Sequence, residues 1–186
     1  KIFKIDDYIG MAMAGLTADA RVLCKYMRNE CLNHKYVFES PHPMKRLINK
    51  VAEKSQIKTQ RSSKRPYGVG LLVVGIDQDG PHLYETCPSG NLYEYYAYAI
   101  GARSQAARTY FEDNFKAFNN CDTEQLILHG LSALKKISQE ENEVVPKSVE
   151  IAFVAEGVPF TVLKLEEIEE YFKKHETFKP QDQMEI

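Results

Sequence analysis

No stretch of this 186-residue chain is apolar for long enough to cross a membrane: the longest such run, Val69 to Ile76, falls far short of the roughly 18 to 20 residues that a spanning helix needs. No basic-then-apolar leader opens the chain either, so the expectation is a soluble intracellular protein. Charge of one sign is also missing. Lys and Arg number 24 against 26 Asp and Glu, a net charge of −2, which excludes a general attraction to nucleic acid or anionic membrane and leaves charged partners to local patches. Cysteine is sparse. Cys24, Cys31, Cys87 and Cys121 sit in core-patterned segments and predict reduced thiols, not a disulfide framework. The five histidines, His34, His42, His82, His129 and His175, are scattered with none paired at metal-ligand spacing, so neither a metal nor another cofactor is expected.

What is present is ample apolar material. At 44% hydrophobic residues the chain buries one good core, and one domain is the default. It begins at Lys1, inside an alternating Lys-Ile-Phe-Lys-Ile pattern that reads as a strand already under way. Tyr8 to Gly15 continues as a second strand, with Thr17 as helix N-cap. Ala20, Leu23, Cys24, Met27 and Cys31 recur at helical spacing, leaving Arg21, Lys25 and Arg28 outside, and predict a helix over about 17 to 32. Met44, Leu47, Ile48, Val51 and Ala52 predict another after Pro43, over about 43 to 56. Lys58 to Lys64 reads as a polar loop.

Gly68 to Asp77 is continuously apolar and β-branched, as in a strand covered on both faces. The turn Gln78-Asp79-Gly80-Pro81 makes it a hairpin with His82 to Thr86, and Tyr93 to Ile100 extends the sheet. Ala106, Ala107, Tyr110, Phe111, Asn114, Phe115 and Phe118 mark a third helix. Leu126, Ile127, Leu131, Leu134 and Ile137 mark a fourth, behind a capping box of Asp122 and Gln125. A charged loop from Glu140 to Lys147 leads to strands over Val149 to Val154 and Pro159 to Leu163, then an acidic helix from Leu165 to Phe172. His175 to Ile186 is polar and aperiodic and is expected to be a tail. Paired helices between antiparallel strand runs give an α+β protein with helices outside and sheets inside, not alternating βαβ units.

The sharpest motif is Arg65-Pro66-Tyr67-Gly68-Val69-Gly70-Leu71-Leu72. Four further blocks accompany it in order: Ile5 to Gly10 (IDDYIG), Ala14 to Arg21 (AGLTADAR), Cys87 to Asn91 (CPSGN) and Ala99 to Gln105 (AIGARSQ). Together they resemble the α-type subunits of the 20S proteasome over about Lys1 to Phe172. Arg103-Ser104-Gln105 with Ala106 to Tyr110 is most similar to the eukaryotic type-1 group. The resemblance implies the αββα sandwich of the N-terminal-nucleophile hydrolases, with residues 1–172 as the domain and 173–186 as a polar C-terminal tail. It implies a non-catalytic scaffold of the α ring in ubiquitin-dependent degradation, cytoplasmic and nuclear. Neighbouring α subunits, the β ring and regulatory-particle tails are its implied partners, with no nucleic acid or membrane among them. The family's opening helix, gating segment and first strands have no counterpart in this sequence.

Lys1 is the binding residue that the resemblance supplies, because it stands where α subunits place a pocket lysine for the C-terminal carboxylate of activator tails; an ordinary solvated position is the bland alternative. No catalytic residue is expected. The enzymatic subunits, which represent the rival function of a threonine-type peptidase, use a free N-terminal Thr whose own amine takes the proton, and Thr17 is interior. A triad drawn from Ser104, His129 and Asp122 lacks a nucleophile elbow. Asp6 and Asp7 are adjacent on a strand and point apart, so they shape a turn. Gly68-Val69-Gly70 lacks the lysine and helix of a phosphate loop. Lys58, Arg61, Lys64 and Arg65 form a basic stretch read as a solvated face, with an acidic neighbouring subunit as the competing reading.

Overall fold

Strand alternation from Ile2 onward closes on itself within a few residues. β1 (Ile2–Asp6) turns through Asp7 and Tyr8 into β2 (Ile9–Gly15), with a register shift between Lys4 and Asp6. The β-branched run forms β3 (Val69–Asp77), and a turn at Gln78 and Asp79 returns it as β4 (Gly80–Thr86), followed by the short β5 (Leu92–Glu94). The five strands form one sheet in chain order, and every neighbouring pair is antiparallel. No parallel βαβ pairing occurs in it, as the helix-pair pattern predicts. This computed structural model describes residues 1–138 and 144–178.

Between β2 and β3 the chain forms α1 (Thr17–Phe38) and α2 (Met44–Gln60). Their inner faces are those that the spacing predicts: Ala20, Leu23, Cys24, Met27 and Cys31 on α1, and Met44, Leu47, Ile48, Val51 and Ala52 on α2, are all buried. They meet Met11, Met13, Val69, Leu71 and Val73 of the sheet in one core. A fully buried Leu, Ile or Met side chain contributes about 1.5–3 kcal/mol relative to leaving it in water, so this face holds the helices down. β3 alternates. Val69, Leu71 and Val73 are buried while Leu72, Val74 and Ile76 are half-buried, so its two faces are not equally covered.

The chain divides into two compact units: Lys1–Tyr96 with Val154–Thr161, and Ala97–Phe153 with the residues from Val162 on. In the second, α3 (Ser104–Phe118) and α4 (Thr123–Ile137) pack together, and α5 (Leu165–Thr177) packs on α4. A 3-10 turn spans Pro146–Ser148. β6 (Ala152–Ala155) and β7 (Val158–Val162) pair as a separate two-stranded sheet. The order of elements matches the sequence reading throughout. Helices in pairs between runs of antiparallel strands give the expected α+β class.

Boundaries differ. Thr17 is the first helical residue, not the cap; Leu16 precedes the helix with no side-chain cap. α1 runs on to Phe38, α2 to Gln60 and α5 to Thr177, beyond the apolar stripes that signal them, because polar and exposed residues extend a helix without marking its end. The aromatic segment after β5 is not strand beyond Glu94. On α3, Phe115 is exposed, and on α4 Leu126 and Leu134 are exposed while Leu128, His129 and Ala133 are buried with Ile127 and Leu131. An apolar-only stripe misses this rotation because His129 enters the interior through a hydrogen bond. Residues 140–143 of the expected charged loop and 179–186 of the expected tail lie outside the described residues. Among the described residues no helix is long and apolar enough to cross a membrane.

Candidate functional site

The two strongest sequence blocks come together at the start of α1. Asp19, buried on its first turn, accepts two hydrogen bonds from the Arg65 guanidinium, Nη1 to Oδ2 at 2.6 Å and Nη2 to Oδ1 at 2.9 Å, and a third from the Gly68 N–H at 2.8 Å. The paired Arg65, then the Gly68 N–H, hold the Asp19 carboxyl down at about 2, against the smaller opposing effect of burial. Gly68 returns its carbonyl to the Leu16 N–H at 2.8 Å. Gly15 reaches this junction with φ of 127°, where a side chain is strained, and a Cβ there would run into the Gly68 carbonyl. Tyr67 is buried beside it, with Lys58 Nζ 5.0 Å from its ring centre. The basic stretch lies at the surface, as expected, but is not all loop: Lys58 is on α2, and Arg65, its side chain 65% exposed, still pairs with Asp19, while Arg61 and Lys64 are exposed. Both oxygens and the Gly68 N–H are engaged, so this junction is a structural clasp.

None of the catalytic candidates is brought into a working arrangement. His129 is buried and shares a 2.8 Å hydrogen bond with the Tyr110 hydroxyl; burial lowers its pKa. Asp122 caps α4, accepting from the Gln125 N–H at 2.7 Å while the Gln125 side chain accepts from the Asp122 N–H, as the capping box predicts. Ser104 is buried at the start of α3, after Arg103 in the left-handed region with φ of 57°. Each triad member thus has a separate structural task. Asp6 accepts from the Asp7 N–H at 2.9 Å and Asp7 pairs with Lys4 and Lys35, the turn role that adjacency predicts.

One serine–histidine contact escaped the sequence reading. Ser132 Oγ lies 2.9 Å from His175 Nε2, and Lys135 Nζ lies 3.1 Å from His175 Nδ1. The ammonium only donates, so Nδ1 accepts and the ring proton sits on Nε2. A protonated Nε2 cannot draw a proton from Ser132, whose hydroxyl donates instead to the Leu128 carbonyl at 2.9 Å. The tautomer that Lys135 fixes is the wrong one for a serine nucleophile. The sequence also gives no sign that His34 and His42 come together, with ring centres 4.5 Å apart, each bonded through Nδ1 to a backbone carbonyl. No group of three or more His, Cys, Asp and Glu suited to a metal occurs among the described residues.

Lys1 is exposed at the entrance to β1, and its carbonyl accepts from the Met13 N–H at 3.3 Å, so its backbone is fixed against β2. At the opposite end of β1 and β2, a cavity of about 800 Å³ is lined by Tyr8, Phe38, Lys45, Arg46, Ile76 and Asp79 among others. Its cations and carboxylates are mixed, so its charge selects no one ligand class.

The family model for proteasome subunits matches residues 1–154. The chain is 51% identical to proteasome subunit alpha type-1 of Dictyostelium discoideum over 181 residues, covering 97% of this chain and 73% of that relative. It is 44% identical to proteasome subunit alpha type-1 of Trypanosoma brucei rhodesiense over 182 residues, covering 98% and 68%. It is also 45% identical to the probable proteasome subunit alpha type-6 of Schizosaccharomyces pombe over 174 residues, covering 94% and 64%. The matched region includes the whole five-stranded sheet and the Asp19–Arg65 clasp that joins its two most distinctive blocks, and this chain belongs to the proteasome subunit family.

Proposed function

We propose that this chain is a non-catalytic α-type subunit of the 20S proteasome core, a scaffold of the outer ring in ubiquitin-dependent protein degradation. The observation that carries this reading is the 51% identity to an alpha type-1 subunit across 97% of the chain. The chemistry supports it: His129, Asp122 and Ser132 are held in hydrogen bonds that leave no activated hydroxyl among them. Its partners are other α subunits and the β ring, its setting the cytoplasm and nucleus, and it engages neither nucleic acid nor membrane. Lys1, exposed at the entrance to β1 with its backbone bonded to β2, receives the C-terminal carboxylate of a regulatory-particle tail.

Co-expression with the remaining α subunits, followed by native mass spectrometry, tests the scaffold role; incorporation into a ring is expected, and persistent exclusion from rings overturns it. In such rings Lys1→Ala is expected to weaken binding of a tail peptide and to leave assembly intact, since it removes a cation without removing core volume. Unchanged peptide affinity returns Lys1 to a solvated role. Fluorogenic peptides distinguish the rival threonine-type peptidase: turnover that co-elutes with purified chain and disappears on mutating an interior Ser or Thr would establish that reading instead.

A further inference from the structure

On the outer half of the sheet, His82 of β4 is held through both ring nitrogens by carboxylates. Nδ1 lies 2.5 Å from Glu94 Oε1 on β5, and Nε2 lies 3.0 Å from Asp77 Oδ1 at the end of β3. Asp77 also accepts from the Asp79 N–H at 2.9 Å and, through Oδ2, from the Met44 N–H at the start of α2 at 2.8 Å. Those bonds need an ionised carboxylate, and ionised carboxylates only accept. Both nitrogens of His82 must then donate, which only the imidazolium does. The other groups facing the cluster are Tyr84 of β4, whose ring stacks on the imidazole at 5.7 Å between centres, Asp79 in the turn, and Lys45 of α2, whose charge acts on Glu94.

We propose that His82 is a proton-operated clasp that ties the three-residue edge strand β5, itself paired with β4, to the end of β3 and the start of α2, and that loss of its proton loosens β5. The two sides of the clasp are unequal. Asp77 is fixed by two backbone N–H groups and its side chain is only 10% exposed, whereas the Glu94 side chain is 50% exposed. A neutral ring keeps one proton, and it stays on Nε2 toward Asp77, where an unpartnered carboxylate costs most. The Nδ1 link to Glu94 is the one that fails, which leaves Glu94 held by its bond to the Tyr84 hydroxyl without the imidazolium.

Burial opposes the charged ring, but the bond to Glu94 and the charge of Asp77 outweigh it, so the His82 pKa is raised above 6.5. The sign follows: a raised folded pKa means the clasp is complete below about pH 6.5 and is lost as pH rises through the folded value. The loss therefore falls on the alkaline side of the ordinary histidine value.

Nitrogen-15 NMR of the full chain tests the ring directly: both His82 nitrogens are expected at imidazolium shifts at about pH 6.5, and a neutral-tautomer pattern there overturns the proposal. Hydrogen exchange tests the loosening. The Tyr95 amide, bonded to the Leu83 carbonyl at 2.9 Å just past β5, is expected to lose protection between about pH 6 and 9 relative to the β2 amides, which are flanked by strands on both sides. His82→Gln removes that dependence, and Glu94→Gln, which cannot hold the charge, reduces it. The same pH dependence in wild type and both variants overturns the clasp. The ring spectrum needs no variant, so it decides the matter even if His82→Gln does not fold.

Discussion

At the scale of single residues, Asp19 shows how a carboxylate becomes a pH-dependent fastening. Its folded pKa of about 2 lies below the ordinary 3.8, so its contribution is complete above about pH 4 and is lost as pH falls through the folded value. Asp19→Asn keeps an acceptor for the Gly68 N–H and removes the charge. Urea midpoints at pH 7, 4 and 2 are expected to fall more steeply for wild type than for the variant between pH 4 and 2; equal slopes refute the assignment. The cysteines make a second case. None of the four is in a disulfide, and burial pushes the Cys31 thiol up to about 12 and raises that of Cys24. Thiol titration is expected to leave both unreactive in the native protein and to count all four in denaturant. Rapid native reaction at Cys31 contradicts the burial.

At the scale of elements, β2 and β7 meet at a glycine. Gly10 presses so closely on Phe160 that a Cβ would overlap the ring, and the Phe160 N–H bonds the Asp7 carbonyl at 2.7 Å. Gly10→Ala is expected to cost about 1–3 kcal/mol in urea unfolding. Adding Phe160→Leu is expected to recover part of it; strictly additive losses exclude the contact as the cause. Helix faces at α1 and α2 were legible in the sequence because five apolar residues at three- and four-residue spacing leave few alternatives, and the Asp122–Gln125 box fixed the start of α4. Polar pairings were not legible. Arg65 and Asp19 stand far apart in the chain, and His82, Asp77 and Glu94 on different strands, so no local period announces them. Resemblance marked the Arg65 and Asp19 blocks as distinctive without saying that they touch; the ion pair joins them in this chain.

At the scale of the whole chain, the five-stranded sheet is assembled from pieces with very different histories. The β3–β4 hairpin closes through a two-residue turn, and β1–β2 through another, whereas β2 and β3 pair across the full length of α1 and α2, from Gly15 with Val69 to Ile9 with Gly75. Loop closure of that size costs chain entropy before any contact returns it, so the order of events in folding is set by this one pairing. The two hairpins and the α1–α2 pair are expected to gain amide protection first in pulsed hydrogen exchange, with the β2–β3 amides protected only in the last, rate-limiting phase. Protection of β2 and β3 ahead of either hairpin would reverse that order. The Asp19–Arg65 clasp sits at the Gly15–Val69 end of the pairing and closes the same long loop. Its removal is therefore expected to slow closure of the sheet as well as to lower stability, so that Asp19→Asn refolds more slowly in stopped-flow measurements; an unchanged refolding rate excludes the kinetic effect.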